Sequence, residues 1–294
     1  MPAMKRGLSL LALLLAPTLG ATDAAQMDEP LVPKRRGFHL ELLPKSFSPA
    51  PQIEMTVYSE RTEHGRGFPE AAPDRPVYYV AHSQGFQPRG ETPAGEHPPL
   101  PDQIGTLLHK TLARRGFLPA REREHPPTLA LFYYWGSHSA ADRELMMLIP
   151  DLWHRERQNI IERAMLVGGH AYARRIARLL DEGMPFYERT GKNDHLLYQA
   201  EHDLYYVVVS AYEYAPLAHG ERRLVWRTTL TVNAQGVSMQ ETLPPLITSA
   251  TRFFGRDTGA AVALERRIHR GSVELGPLII IESDVPAPTD TKGK

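Results

Sequence analysis

The chain of 294 residues contains no cysteine. Disulfides, a thiolate nucleophile and cysteine-bound zinc or iron–sulfur centres are therefore closed to it, as is a lipid attached to a cysteine behind an export signal. Net charge is absent too: 34 Lys plus Arg balance 34 Asp plus Glu. A neutral total gives no electrostatic case for nucleic acid or an anionic membrane surface. No pair among the 13 histidines has the His-x-x-x-His spacing that sets two imidazoles on one helix face. A glycine-rich phosphate loop, a paired-carboxylate signature and a redox motif are likewise missing.

What is present begins with an export signal. Lys5 and Arg6 precede an apolar run without charge at residues 7–15, and small residues follow at Gly20, Ala21, Ala24 and Ala25. The run is far short of the ~20 residues that span a bilayer, so residues 1–25 read as a signal peptide rather than an anchor. Cleavage falls near Ala21 or Ala25 and leaves no transmembrane segment. An exported chain without disulfides must be held by its core, and this length is ample for one.

Residues 26–51 form an extended lead-in with one apolar patch at Phe38-His39-Leu40-Glu41-Leu42-Leu43. Residues 52–283 read as a single α+β domain, an antiparallel or mixed sheet with helices packed on one face and an inserted helical segment at 151–183. Residues 284–294 are a disordered tail. The organising stretch is Leu204-Tyr205-Tyr206-Val207-Val208-Val209-Ser210-Ala211-Tyr212, apolar on both alternating faces and so buried on two sides. Residues 223–232 follow as its hairpin partner, with Leu224, Trp226, Leu230 and Val232 on a packed face and Arg223, Arg227 and Thr229 on a wetter one. Residues 52–58, 76–81 and 128–135 are further strands, the last one central beside either the Leu204 strand or the Val77 strand. Residues 278–281 are a final buried strand.

The 3.6-residue spacing of Ile104, Leu107, Leu108 and Leu112 after Pro101 predicts a helix, stopped by a left-handed Gly116 with Phe117 folding back. The 151–183 segment should kink, or divide, at Gly168-Gly169, because each interior glycine costs about 1 kcal/mol against alanine. It covers the sheet either as a moving lid or as a static pack. Ser238 and Glu241 spell a capping box, but Pro244-Pro245 suggests a turn first and then a helix over 245–254. Residues 258–270 suit a helix or a strand equally.

The helix ending Leu112-Ala113-Arg114-Arg115-Gly116-Phe117 with the strand at Leu129, and the strand Leu224-Val225-Trp226-Arg227 with its final helix, resemble the bacterial envelope family called domain of unknown function 4136. The resemblance implies an α+β envelope domain with no established activity, and it carries over no catalytic or binding residue. The chain departs from that family, often lipoproteins, in lacking cysteine and in carrying the 151–183 insertion.

The sharpest chemical candidate is Ser83. Ala81-His82-Ser83-Gln84-Gly85 after a strand reads like a nucleophile elbow, although Phe86-Gln87-Pro88-Arg89-Gly90 cannot start the helix an elbow needs. His154 with Glu156, or His195 with His202, would need distant help to hold a metal. The pairs Arg174-Arg175, Arg222-Arg223 and Arg266-Arg267 are interleaved with acids and read as solvated faces. Tyr205, Tyr206, Tyr212 and Tyr214 read as sheet and rim. No catalytic, cofactor-binding or metal residue is assigned. The expected function is that of a non-catalytic binding or structural-interaction domain of the cell envelope, for an envelope protein or a hydrophobic ligand and not nucleic acid. The alternative is a serine hydrolase using Ser83.

The export reading has a direct check. Mass spectrometry of the protein from a Gram-negative host should give a mature N-terminus between Ala21 and Gln26, in the soluble periplasmic fraction; an intact N-terminus in the membrane fraction would refute it.

Overall fold

The structure, a computed structural model, describes residues 44–90, 98–121, 123–141, 148–181 and 194–270. The signal segment, the 38–43 patch, the 278–281 strand and the tail expected from sequence lie outside the described residues. In chain order the elements are β1 (Gln52–Arg61), α1 (Glu63–Arg66), β2 (Val77–Phe86), α2 (Pro101–Ala113), β3 (Phe117–Pro119), β4 (Leu129–His138), α3 (Pro150–Asp181), α4 (Asp194–Glu201), β5 (Leu204–Glu213), α5 (Tyr214–Ala218), β6 (Leu224–Asn233), α6 (Met239–Ser249) and β7 (Val262–Arg267).

The strands make one mixed sheet in the order β3-β2-β4-β5-β6-β1-β7. β2 runs parallel to β3 and β4, and the other neighbours are antiparallel. β5 lies in the middle, and its first eight residues are all buried. β4 takes both partners the sequence offered it, β5 on one side and β2 on the other.

Alternation divides the sheet into two faces. Met55, Val57, Tyr79, Leu131, Trp135, Val207, Val209, Trp226, Leu230 and Val232 point to one, where they form the main core with Ile104, Leu108 and Leu112 of α2 and Leu243, Leu246 and Ile247 of α6. α2 ends as its sequence implied: Gly116 has φ +91, and a Cβ there would come within 2.3 Å of the Ala72 backbone. Phe117 is buried and lies against Trp226, ring centroids 5.5 Å apart. The three-residue β3 that Phe117 begins has no sequence signal of its own.

The hairpin differs from expectation at one end. The register slips between Ala211↔Trp226 and Tyr212↔Leu224, which leaves Val225 as an extra residue. Val225 takes the core place expected of Leu224. Its carbonyl and that of Leu224 are held by the N–H and hydroxyl of Thr62, the N-cap of α1. The second face of β6 is the wetter one only at its start: Arg223 is exposed and Arg227 half-buried, whereas Thr229, expected on that wetter face, is buried beneath the helices that cover it.

α6 starts at Met239 and runs through both prolines, rather than beginning at Pro245. Ser238 and Glu241 form the capping box, with Ser238 N–H donating to Glu241 Oε1 at 2.8 Å. Met239, Thr242, Leu243, Leu246 and Ile247 make one buried stripe across the prolines. Burying each such apolar side chain is worth about 1.5–3 kcal/mol, so together they outweigh a proline penalty of about 3 kcal/mol. Residues 262–267 resolve as strand, because β1 offers them a free edge from Gln52↔Arg267 to Val57↔Val262. Arg270 closes this edge: its guanidinium donates to the carbonyls of Lys45, Ser46, Ser48 and Gly236 and to Glu241. It thereby straps residues 45–48 to the start of α6.

Trp226 is 2% exposed in this core. Trp226→Ala should cost roughly 3–5 kcal/mol and Arg227→Ala, on the opposite face, under about 1 kcal/mol. Equal shifts in thermal unfolding would contradict the assignment of faces.

Candidate functional site

α3, the expected insertion, and α4 after it lie across the second face, over β1 and β6. That surface is polar, and the joint is made with matching polar groups. Gln199 of α4, fully buried, accepts from the hydroxyls of Thr56 at 2.8 Å and Thr231 at 3.1 Å and donates to the Glu54 carbonyl at 3.3 Å. α3 is fixed by Arg163, also fully buried. Its guanidinium donates to Ala200 O at 2.7 Å, Ser139 O at 2.9 Å and the Glu156 carboxylate. Glu156 in turn accepts from Ala141 N at 3.0 Å. One ion pair therefore joins α3, α4 and the end of β4.

Midway along, α3 breaks at Gly169, which has φ 73 and ψ −173. A Cβ at Gly169 would meet the Tyr58 ring at 2.3 Å. The glycine pair thus turns the helix and lets its backbone sit directly on a β1 side chain. This is the close-packing role the sequence held open beside that of a moving lid.

Where the bent helix stands off the sheet it leaves a cleft of ≈ 100 Å³. Tyr58, Glu60, Arg89, Tyr134, Glu162 and Arg227 line it with polar atoms, and Met165, Leu166 and Val208 are its apolar wall. The charges are distributed unevenly. Glu162 is engaged by Arg89 at 3.4 Å and approached by His138 Nε2 at 3.5 Å. Glu60 stands directly across from Arg227 in the β1–β6 register, a position from which opposite charges ordinarily close on each other. Here Glu60 instead accepts from the Tyr58 hydroxyl at 3.1 Å. Arg227, half-buried, donates from Nε to Ser210 Oγ at 3.2 Å and has no carboxylate within ion-pair distance among the described residues. Burial, reinforced by the Glu60 carboxylate, pushes the Tyr58 phenol up to about 12, so it stays a proton donor at every physiological pH.

Behind the cleft His138 is 1% exposed. Burial and then the Arg163 guanidinium hold its pKa down to about 4, against the upward pull of Glu162. Residues 87–89 run beside this end of β4: Gln87 N donates to Trp135 O and Arg89 N to Ser137 O. Gly136 makes room, since a Cβ there would lie 2.0 Å from the Gln87 carbonyl. A second hollow, ≈ 280 Å³ between α2 and α6, is lined by Pro99, Gln103, Ile104, Leu107, Gln240 and Pro244. None of these described lining residues is ionisable.

Ser83 lies inside β2, paired with Tyr133, and not at a strand-to-helix turn. It is exposed, and its hydroxyl accepts from Gly85 N at 3.2 Å. His82 stacks on Phe132. Among the described residues no group of three or more His, Asp or Glu is placed to hold a metal ion. Glu156, weighed in sequence as a partner of His154, is the buried anchor of Arg163. Of the arginine pairs, Arg223 binds Glu221 and Arg266 donates to Thr248 and Ser249, both away from the cleft. Tyr205 and Tyr206 are buried in the sheet, while Tyr212 and Tyr214 are at its rim. The cleft residues Glu60, Arg89 and Glu162 were not singled out in sequence. The signal available was Arg227, a charge in an otherwise β-branched run, but its partner lies 167 residues away in register, at Glu60.

No family model matches the chain, and no curated protein matches it. Among solved structures, it is similar to a dodecameric PelC variant from Paraburkholderia phytofirmans, at 11% identity and TM-score 0.27, over 66% of this chain and 92% of that one. A PDZ domain protein from Parabacteroides distasonis is similar at 8% identity and TM-score 0.33, over 74% of this chain and 39% of that one. Likenesses this slight carry no functional argument.

The buried histidine gives a pH signature. A folded pKa of about 4 lies below the ordinary ~6.5, so between these values the unfolded chain binds a proton that the folded one does not. The contribution of His138 to stability is therefore complete above pH ~6.5 and falls by about 1.4 kcal/mol per pH unit on acidification towards pH ~4. Urea unfolding of His138→Phe across this window should show the slope reduced by that amount.

Proposed function

We propose that this is an exported protein of the cell envelope that binds rather than catalyses, with the cleft between α3 and the sheet as its ligand site. The observation that carries the reading is Arg227, a half-buried guanidinium at the cleft that, among the described residues, is hydrogen-bonded to a neutral hydroxyl and to no carboxylate. A cation partly removed from water whose cross-strand carboxylate, Glu60, is turned to Tyr58 keeps unused donors, and a ligand that supplies acceptors satisfies them. The site is also rigidly framed, by Arg163 and Gln199 on one side and by Gly169 on Tyr58 on the other. Pre-formed geometry of this kind favours binding because little ordering remains to be done.

The signal-like N-terminus supports the envelope location, and no described helix is long and apolar enough to cross a membrane. The resemblance to domain of unknown function 4136 supports the same placement. Ser83 offers little to the hydrolase alternative, since its hydroxyl faces a backbone amide two residues on.

The test compares Ser83→Ala with the parent on p-nitrophenyl acetate and butyrate. A binding domain gives the same background rate in both. Turnover in the parent that Ser83→Ala loses by about a hundredfold or more, as for removal of a true nucleophile, would overturn the proposal in favour of the hydrolase.

A further inference from the structure

We infer that the cleft takes a small zwitterion carrying a carboxylate and an ammonium on one carbon, the chemical class of a free α-amino acid. The inference rests on the cleft being the ligand site and names what it binds.

Charge is the first argument. Arg89 and Glu162 satisfy each other across the cleft, so they add little net field. Arg227 and Glu60 remain, and they are of opposite sign. They face each other in the strand register, which sets their Cα atoms about 4.5–5.5 Å apart. Yet they are not paired, for Glu60 is held by Tyr58 and Arg227 by Ser210. An uncompensated cation beside an uncompensated anion suits neither a simple anion nor a simple cation. Each would be drawn to one group and repelled by the other. A zwitterion satisfies both, its carboxylate on the planar fork of Arg227 and its ammonium on Glu60.

Size is the second argument. The cleft of ≈ 100 Å³ is well under the ~300–1,000 Å³ of sites for drug-sized ligands. A small ligand matches it better than a cofactor, a sugar chain or a peptide. A peptide is also mismatched because its terminal charges are far apart, whereas Arg227 and Glu60 are immediate neighbours. The wall of Met165, Leu166 and Val208 leaves an apolar surface for a small side chain.

Isothermal titration of the mature full-length protein with glycine, L-alanine, acetate and methylammonium at low ionic strength tests the assignment. Glycine and L-alanine should bind saturably, and acetate and methylammonium about tenfold more weakly or worse. Arg227→Gln and Glu60→Gln should each weaken glycine by about tenfold or more. Arg223→Gln, whose guanidinium lies with Glu221 outside the cleft, should leave it unchanged. Circular dichroism establishes that each variant is folded. Acetate binding as tightly as glycine, an Arg227→Gln variant that binds like the parent, or no saturable binding of either amino acid to folded protein would each overturn the assignment. Arg227→Gln binding like the parent would also remove the cleft as the site; the other two outcomes leave the broader reading standing, and that reading falls to Ser83-dependent ester turnover.

Discussion

The middle strand of the sheet buries its first eight side chains, from Leu204 to Ala211, and this is the constraint to which the rest of the molecule answers. A strand apolar on both sides cannot face water on either, so each face of the sheet needs a cover. On one face the cover is an ordinary hydrophobic layer, with α2 and α6 packing their stripes over Trp226, Leu230 and Trp135. The other face must be closed over β1 and β6, where the outward positions are Thr56, Thr229 and Thr231. The inserted helices close it, and their chemistry is correspondingly different.

A polar face can be covered only if its buried groups find partners, because an unpaired buried donor or acceptor costs about 1–3 kcal/mol. Gln199 and Arg163 supply those partners. The Arg163–Glu156 pair is weak evidence for net stability, since desolvating two charges offsets much of their attraction. Its effect is on geometry: with hydrogen bonds to β4 and α4 as well, it allows α3 one placement. Once α3 is placed, Gly169 brings its backbone onto Tyr58, and the space beside that contact is the cleft. The site is thus a consequence of how a polar surface was roofed. His138 lies beneath the same roof, which is why its proton affinity reports on the integrity of that region.

Much of the fold was legible. The doubly apolar 204–212 run, the helix that begins at Pro101 with its Gly116 stop, and the kink at Gly168-Gly169 each rest on local rules of periodicity or φ, and each is where those rules put it. The misreadings have a common cause. Pro244-Pro245 argued locally against a helix that five buried side chains nevertheless hold together. Val225 displaced Leu224 from the core because Thr62, far off in sequence, holds both carbonyls. Thr229 looked wet because nothing in a strand's own pattern tells which separate helix will lie over it.

The sequence by itself determined the α+β class, the strands with apolar faces, the helix stops and the absence of cysteine chemistry. These depend on residues within a few positions of one another, or on composition alone. Only the tertiary structure decided which strands are neighbours, that residues 262–267 join the edge of β1, and that Glu60 and Arg227 lie side by side, unpaired, in a cleft beneath a bent helix. The physical reason is range. Steric and capping preferences act between near neighbours in the chain. A charge's partner is set by register and by the packing of elements more than a hundred residues apart, and no local pattern records it.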